Sequence, residues 1–378
     1  MLVKNSVREY IRDKIAPLAD DADRRGPLSG KAARDHLNRL APFGYVGPLV
    51  PAEDGGPGLS HVEAGIIYQE LAGVWPALGL LALCTSHAGS LLLRSDNAPL
   101  RRRFLPGLLC GDIIGAVAVT EPGAGIDTTA ISTSAEPSGD YYIISGEKSW
   151  VSNGGIADIL IVAVNVGKNS EDVSPRQFIL VEKEASMVVI EEIPKMGLKG
   201  ISTSRLVFDR CKVPKQNVLG PIFPASRPTP DFEDAHCCLS AALAVGIAAT
   251  SFELSVSYAR QRVQFGKVLG QFQMIQRMIA QMATGVDAAF LLCFRALKRL
   301  DEGASATKET AMAKTFAART AVEAASTAIQ IHGAYGYSDE FPMERCYRDA
   351  CCLNLVGGHA DMQDLRIAEA VTGFAALT

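Results

Sequence analysis

AVTEPGAGID (118–127), followed by WVSNGG (150–155), is the stretch on which the reading of this chain turns. A Thr-Glu-Pro turn, a run of small residues and a Trp-x-Ser-Asn strand end stand where a helical pattern gives way to a strand pattern. From Asp112 to about Leu219 short runs rich in Ile, Val, Tyr and Thr recur: DYYIISG (140–146), ADILIVAV (157–164), QFILVEK (177–183) and SRLVFDRCKV (204–213). Gly and Pro separate them, which suits an antiparallel sheet.

Helical patterns flank this segment on both sides. The start, MLVKNSVREYIRDKIAPLADDADRR, mixes acidic and basic residues without a long apolar core, so it reads as an amphipathic helix and not as a signal or transit peptide. Ser60 and Glu63 form a capping-box pattern ahead of the apolar run Val62 to Ala72. The turn residues of EDGGPG (53–58) predict a loop. GPIFPASRPTPD (220–231) is proline-rich and reads as a linker or loop. Beyond it, Ile275, Met278, Ile279, Met282, Val286 and Phe290 recur at three- and four-residue steps, the stripe of a packed helix. Ala311 to Ile331 predicts a further Ala-rich helix, with Gly333 as its stop. Helices, sheet, helices is an α+β order with a central β domain. The expected boundaries are 1–111, 112–220 and 221–378. No Gly-x-Gly-x-x-Gly follows a strand, so a Rossmann dinucleotide site is not indicated.

Composition narrows the function class. With 378 residues, 48% hydrophobic and 21% charged, the chain is of ordinary globular type. Dividing the length by roughly 150 gives two to three domains. A formal charge of -4 argues against nucleic acid as the main partner, because phosphate binding needs a basic footprint. No run of roughly eighteen uninterrupted apolar residues occurs, so no membrane span is expected. The nine cysteines are odd in number and include the neighbours Cys237-Cys238 and Cys351-Cys352. No CxxC spacing points to zinc or any other metal. Free thiols in a reducing cytoplasm are the expectation.

Taken in order along the chain, VPAEDGGPGLS (50–60), AVTEPGAGID, GEKSWVSNGG (146–155), GLKGISTSRLVFDRCKVPKQNVLG (197–220), YARQRVQFGKVLGQFQ (258–273), QIHGAYGY (330–337) and ERCYRDA (344–350) resemble the acyl-CoA dehydrogenase family over nearly the whole length. The resemblance implies an N-terminal helical domain, a central antiparallel β domain and a C-terminal helix bundle, with FAD as cofactor. It places Val119 and Thr120 at the pyrimidine side of the flavin ring, Ser152 near N5 and Trp150 against the ring. Gly123 and Gly125 are where the backbone comes close to cofactor or thioester. Arg262, Phe265 and Gln273 match positions that hold the pyrophosphate and adenine end from a neighbouring subunit, and guanidinium suits phosphate. Gln330 and Gly333 match the stretch that closes over the ADP part. A site shared in this way implies a homo-oligomer, dimer or tetramer.

The family's commonest catalytic carboxylate follows Arg-Asp-Ala. In RDACCLNLVGGHAD (348–361) that position is Gly357, and glycine accepts no proton. The alternative base position, counted back from Arg262 without gaps, falls at His236, whose neutral imidazole could serve near pH 7 or be a polar residue at a helix start. Glu233 and Asp234 are nearby, although acids there also complement a helix dipole. His359 and Asp361 are weaker alternatives. Further departures are the proline-rich segment ahead of this helix, Ile126 in place of a serine, and Cys237 in place of an arginine. All lie on the substrate side.

Three readings follow. The first is an FAD-dependent acyl-thioester dehydrogenase, acting on an acyl-CoA or an acyl-carrier protein, with a displaced base and an electron-transfer flavoprotein as acceptor. The second is an oxidase or oxygenase that uses O2 on a ring-bearing or other thioester in specialised metabolism. The third is a non-catalytic flavin-binding protein, against which the donors near N5 speak.

Overall fold

The structure, a computed structural model, describes residues 10–127, 130–167, 176–183, 188–220 and 230–375. The first nine residues of the amphipathic N-terminal stretch and most of the proline-rich segment, 221–229, lie outside the described residues.

Five helices come first: α1 (Ala16–Arg25), α2 (Gly30–Leu40), α3 (His61–Val74), α4 (Pro76–Arg94) and α5 (Ala98–Cys110). The capping box is present at α3. Ser60 Oγ accepts from the Glu63 amide at 3.2 Å, and Glu63 Oε2 accepts from the Ser60 amide at 2.9 Å. These two bonds satisfy donors that a helix start leaves unpaired. Helix α4 starts with Pro76 at its first turn and is apolar nearly all round, with fourteen buried residues. Such a helix belongs in an interior.

Eight strands form the middle: β1 (Gly115–Ala118), β2 (Ser134–Ser138), β3 (Tyr141–Ser152), β4 (Ile159–Val166), β5 (Arg176–Glu182), β6 (Val188–Glu192), β7 (Thr203–Pro214) and β8 (Val218–Gly220). They make one sheet in the order β6-β7-β3-β2-β4-β5-β8, with β1 also on β4. Pairing is antiparallel except at β4, where β1 and β2 run parallel to it. β1 pairs with residues 159–162 of β4 and β2 with Asn165 and Val166. The two short strands therefore follow one another along a single edge of β4, and the intervening loop, which carries TEPGAGID, is thrown out of the sheet. β4 explains its own continuous apolar run. Ile159, Ile161 and Ala163 enter the core beneath α4 and α5, while Leu160, Val162 and Val164 enter the core on the opposite face. A strand covered on both faces needs no polar alternation.

The last part is helical: α6 (Pro230–Gln261), a small hairpin β9 (Val263–Gln264) and β10 (Lys267–Val268), α7 (Gln273–Asp301), α8 (Thr307–His332), α9 (Met343–Leu353) and α10 (Ala360–Thr372). Gly333 caps α8 with φ 63°. The stripe on α7 packs inward, with Met282 buried and Ile275, Met278, Ile279, Val286 and Phe290 partly so. The helices before and after the sheet share one core, to which Leu71, Leu78, Leu243, Leu297 and Ala321 all belong. Close approach makes this possible: a Cβ on Gly246 of α6 would stand 2.2 Å from the Gln69 carbonyl of α3.

Among the described residues, three helices are long and apolar enough to cross a membrane by length and composition alone, in Pro76–Arg94, Glu233–Gln261 and Gln273–Asp301. The apolar windows of the first two are 78% and 72% buried inside the fold, and that of the third only 17%. All nine cysteines are free thiols, five of them buried.

Candidate active site

The loop after β1 is held from beneath. Glu121 is buried with Lys148 of β3, their charged ends 2.8 Å apart and the two side chains 3% and 0% exposed. Lys148 Nζ also donates to the Val119 carbonyl at 2.9 Å. Glu121 accepts from the Ser132 amide and hydroxyl and from the Thr133 amide. Burial acts to raise this carboxyl, but the hydrogen bonds from Lys148, Ser132 and Thr133 outweigh it and hold it at about 2. The Ser149 amide donates to the Thr120 carbonyl at 2.9 Å, and Glu121 and Ala124 exchange backbone bonds that close the turn. Loop and strand are thereby fastened side by side, which brings Val119 and Thr120 next to the end of β3.

At that end the pairing of β3 with β7 slips between Lys148 and Val151. Trp150 occupies the slip with φ 58° and is 60% exposed. A bulge re-aims the side chain it carries, and a bulky residue at positive φ is held there by its surroundings. Asn153, at φ 64°, is fully buried. Its amide donates to Leu81 O, Thr85 Oγ1 and Gly115 O at 3.1–3.3 Å, pinning the strand end to α4 and β1. Ser152 lies between, half-buried, in a hydrogen bond with Cys84 of α4. Burial pushes the Cys84 thiol up to about 12.

Behind Cys84, one turn along α4, the His87 ring stacks on the His236 ring of α6 with centroids 4.1 Å apart and planes 21° apart. His236 Nδ1 is shielded from solvent and meets no hydrogen-bond partner. Burial, and after it the Lys314 ammonium, lowers His236 from 6.5 to about 4. Burial and the facing His236 take His87 well below its ordinary value. Both imidazoles are therefore neutral at neutral pH.

Gly357 sits in the turn between α9 and α10 with φ 73°. A Cβ there would come within 2.3 Å of Ser240 Oγ and 2.4 Å of Ser240 Cβ, and 3.8 Å from Lys314 Nζ. Ser240 thus fills the space that a side chain at 357 would use, with Lys314 at contact distance behind it. Introducing Gly357→Glu should accordingly not raise turnover. It should destabilise the fold by about 2–4 kcal/mol, from overpacking and from a left-handed backbone, seen as a lower denaturation midpoint. A stable variant with faster flavin reduction would contradict the packing argument.

The acids near His236 have other partners. Glu233 pairs with Arg366 of α10 at 3.1 Å, and burial raises it against that guanidinium. Asp234 accepts from the Thr307 and Thr310 hydroxyls. His359 caps α10, its Nδ1 accepting from the Asp361 amide.

A second group of predicted residues gathers at the far end of α6. Phe265 and Gly266 form the two-residue turn of the β9–β10 hairpin, both at positive φ, and Phe265 is 92% exposed. Tyr258 stacks on His332 at 4.2 Å and Arg262 lies 5.8 Å from the Tyr335 ring, which brings Arg262 to the Gly333 turn. Tyr258, Arg262, His332 and Phe341 are among the residues lining a cavity of about 310 Å³. Gln273 and Gln330 are exposed nearby in sequence. Among the described residues no hydrogen bond or ring contact joins this group to Thr120, Trp150 or Ser152.

The residues present fit FAD. Donor-bearing Thr120 and Ser152 flank an outward Trp150, and no atom stands within 4 Å of a Cβ built on Gly123, Gly125 or Gly333, so a large planar ligand can approach the backbone. Sequence reasoning missed the Glu121–Lys148 pair, Asn153, His87, Ser240 and Lys314. A lysine within a strand otherwise turned inward was the available signal for the first. The others come from three separate helices and a strand end, and carry no local motif.

Models of three families match: acyl-CoA dehydrogenase, N-terminal domain, over residues 1–112, middle domain over 116–211 and C-terminal domain over 238–372. The chain is 34% identical over 343 residues to the caffeyl-CoA reductase-Etf complex subunit CarC of Acetobacterium woodii, covering 90% of each chain. It superposes on the glutaryl-coenzyme A dehydrogenase glutaryl-CoA complex with TM-score 0.92 at 32% identity, covering 98% of this chain and 94% of that one. It superposes on the FAD complex of PigA with TM-score 0.89 at 26% identity, covering 98% and 96%.

Proposed function

The chain belongs to the acyl-CoA dehydrogenase family of FAD-dependent acyl-CoA oxidoreductases, and from that premise we propose that it oxidises an acyl thioester with His236 in place of the customary carboxylate. One observation carries this reading: the space at Gly357 is taken by Ser240, while the neutral His236 imidazole has a nitrogen without a partner.

FAD, when bound, supplies the hydride acceptor. Thr120 and Ser152 would donate hydrogen bonds to it, with Val119, Gly125 and Trp150 beside them completing that part of its site. Arg262, Phe265 and Gln273 of one subunit would hold the phosphate and adenine end, together with Gln330 and Gly333. The exposure of Phe265, Met274 and Tyr337 at 92%, 62% and 84% supports a site completed by a second subunit. His236, half-buried, accepts the α-proton on its imidazole, which burial keeps neutral. Glu233 is held by Arg366 and is the weaker acceptor. The thioester is delivered by coenzyme A or a carrier protein, and an electron-transfer flavoprotein takes the electrons, as the naming of the CarC relative within an Etf complex suggests. Nine free thiols suit the cytoplasm. The lack of a carboxylate at 357 also supports a second reading, with O2 as co-substrate.

The test is a panel of acyl-CoA and acyl-carrier thioesters mixed with yellow holoprotein, with and without oxygen, products being identified by mass. Anaerobic bleaching of the flavin by at least one thioester is expected. Turnover only in oxygen, with labelled oxygen in the product, would replace the first reading by the second. A protein that cannot be loaded with FAD would remove both.

A further inference from the structure

Among the described residues two lysines are fully buried, and they are treated differently. Lys148 has the Glu121 carboxylate at 2.8 Å. Lys314 of α8 meets neutral oxygens: Ser240 Oγ at 3.0 Å, Val356 O at 2.6 Å and Leu353 O. Among the described residues no carboxylate forms an ion pair with it. The carbonyl end of α9 offsets part of its charge, but a buried cation without a counter-ion is costly to keep. What lies beside it suggests why it is kept. Ser240 is four residues after His236 on α6, so the two share one helix face. The ammonium fastened to Ser240 is therefore one turn from the imidazole that stacks on His87.

We propose that Lys314 is a positioning residue that acts through His236, its buried ammonium adding to the effect of burial in keeping the ring stacked on His87 uncharged, so that His236 stands ready to take a proton. This rests on the assignment of His236 as proton acceptor. A proton on either ring would place a second positive charge in the same apolar layer, with no carboxylate at 357 to offset it. The electrostatics agree: burial draws Lys314 down to about 8, yet it remains charged throughout the range in which a histidine titrates. The other titratable groups of this layer are Tyr68 on α3, Cys84 on α4, Cys293 on α7 against Cys238, and Cys352 on α9. On α6 itself they are Glu233, Asp234 and Cys237, with Arg366 of α10 on Glu233. Of these, the two acids already have partners, as described above, and the buried thiols Cys84, Cys237, Cys238 and Cys352 are pushed upward and stay neutral.

Holoprotein labelled at histidine with carbon-13 and nitrogen-15 tests this by NMR, the His236 signal being assigned by its loss in His236→Gln. In the unaltered protein that signal should remain that of a neutral imidazole down to about pH 4. Lys314→Gln, which can still donate to the turn but carries no charge, should move the midpoint upward toward 6.5 by up to about one pH unit, burial keeping the rest of the shift. Lys314→Arg should keep it low. A purely structural role for Lys314 would leave the midpoint where it was, and that result overturns the proposal. So does a His236 already protonated at pH 6.5 in the unaltered protein, a result that requires no variant to fold. Unchanged flavin reduction in His236→Ala would instead remove the proton-acceptor role and leave the measured electrostatics standing.

Discussion

His236→Ala should slow anaerobic flavin reduction by a thioester about 10²–10⁴-fold, the usual contribution of a positioned base, while thioester binding, followed by perturbation of the flavin spectrum, persists. The reason is the lack of any substitute. Position 357 is glycine, Glu233 is tied to Arg366, and Asp234 is engaged by two threonine hydroxyls. The pH profile provides a second check. The folded His236 titrates at about 4 instead of 6.5, so the proton-accepting form prevails at neutral pH and is lost as pH falls through about 4. The acid limb of the reduction rate should fall there, and it should be missing from the residual rate of the variant. Reduction kinetics identical to those of the unaltered protein would assign proton removal elsewhere.

Lys148→Met should destabilise the protein by about 3–5 kcal/mol, the cost of leaving one member of a buried ion pair alone, and should release FAD at a lower denaturant concentration. The size follows from the double duty of the ammonium, which satisfies both the Glu121 carboxylate and the Val119 carbonyl. Lys148→Met combined with Glu121→Gln should recover part of the loss, because the stranded charge is gone. Acid should act on the same loop. An unfolded glutamate takes a proton at about 4.5 and the folded Glu121 only at about 2, so between these values the unfolded chain binds more protons. The stabilisation is complete above 4.5 and disappears as pH falls through 2. Unchanged denaturation midpoints and flavin retention in the single variant would show that the pair does not hold the loop.

Much of the fold was legible along the chain because its signals are local. The Ser60–Glu63 box, the β4 run and the Gly333 stop each depend on residues within one turn or one strand, and each is found where the pattern predicts. The sheet is antiparallel for most of its length, as the strand runs suggest. The parallel pairings of β1 and β2 with β4 were not legible, since they join segments separated by a long excursion. At the site, Thr120, Trp150 and Ser152 could be picked out because they stand in motifs. Lys148 and Asn153, which hold those motifs in place, could not, because their partners are 27 to 72 residues away. The proline-rich segment gains no structural account, as 221–229 lie outside the described residues.

By itself the sequence determined which segments are helix and strand, that a turn rich in small residues interrupts the sheet, and that glycine stands at 357, while the link of that turn to FAD came through the family resemblance. These are properties of side-chain period, turn chemistry and residue identity, all readable without knowing what touches what. Only the tertiary structure decided that the helices before and after the sheet share one core. It also decided that Ser240, with Lys314 behind it, takes the space beside Gly357, and that His87 and His236 stack as a neutral pair. Packing and burial are relations between distant segments, and an imidazole or ammonium acquires its protonation behaviour from the neighbours that folding brings to it.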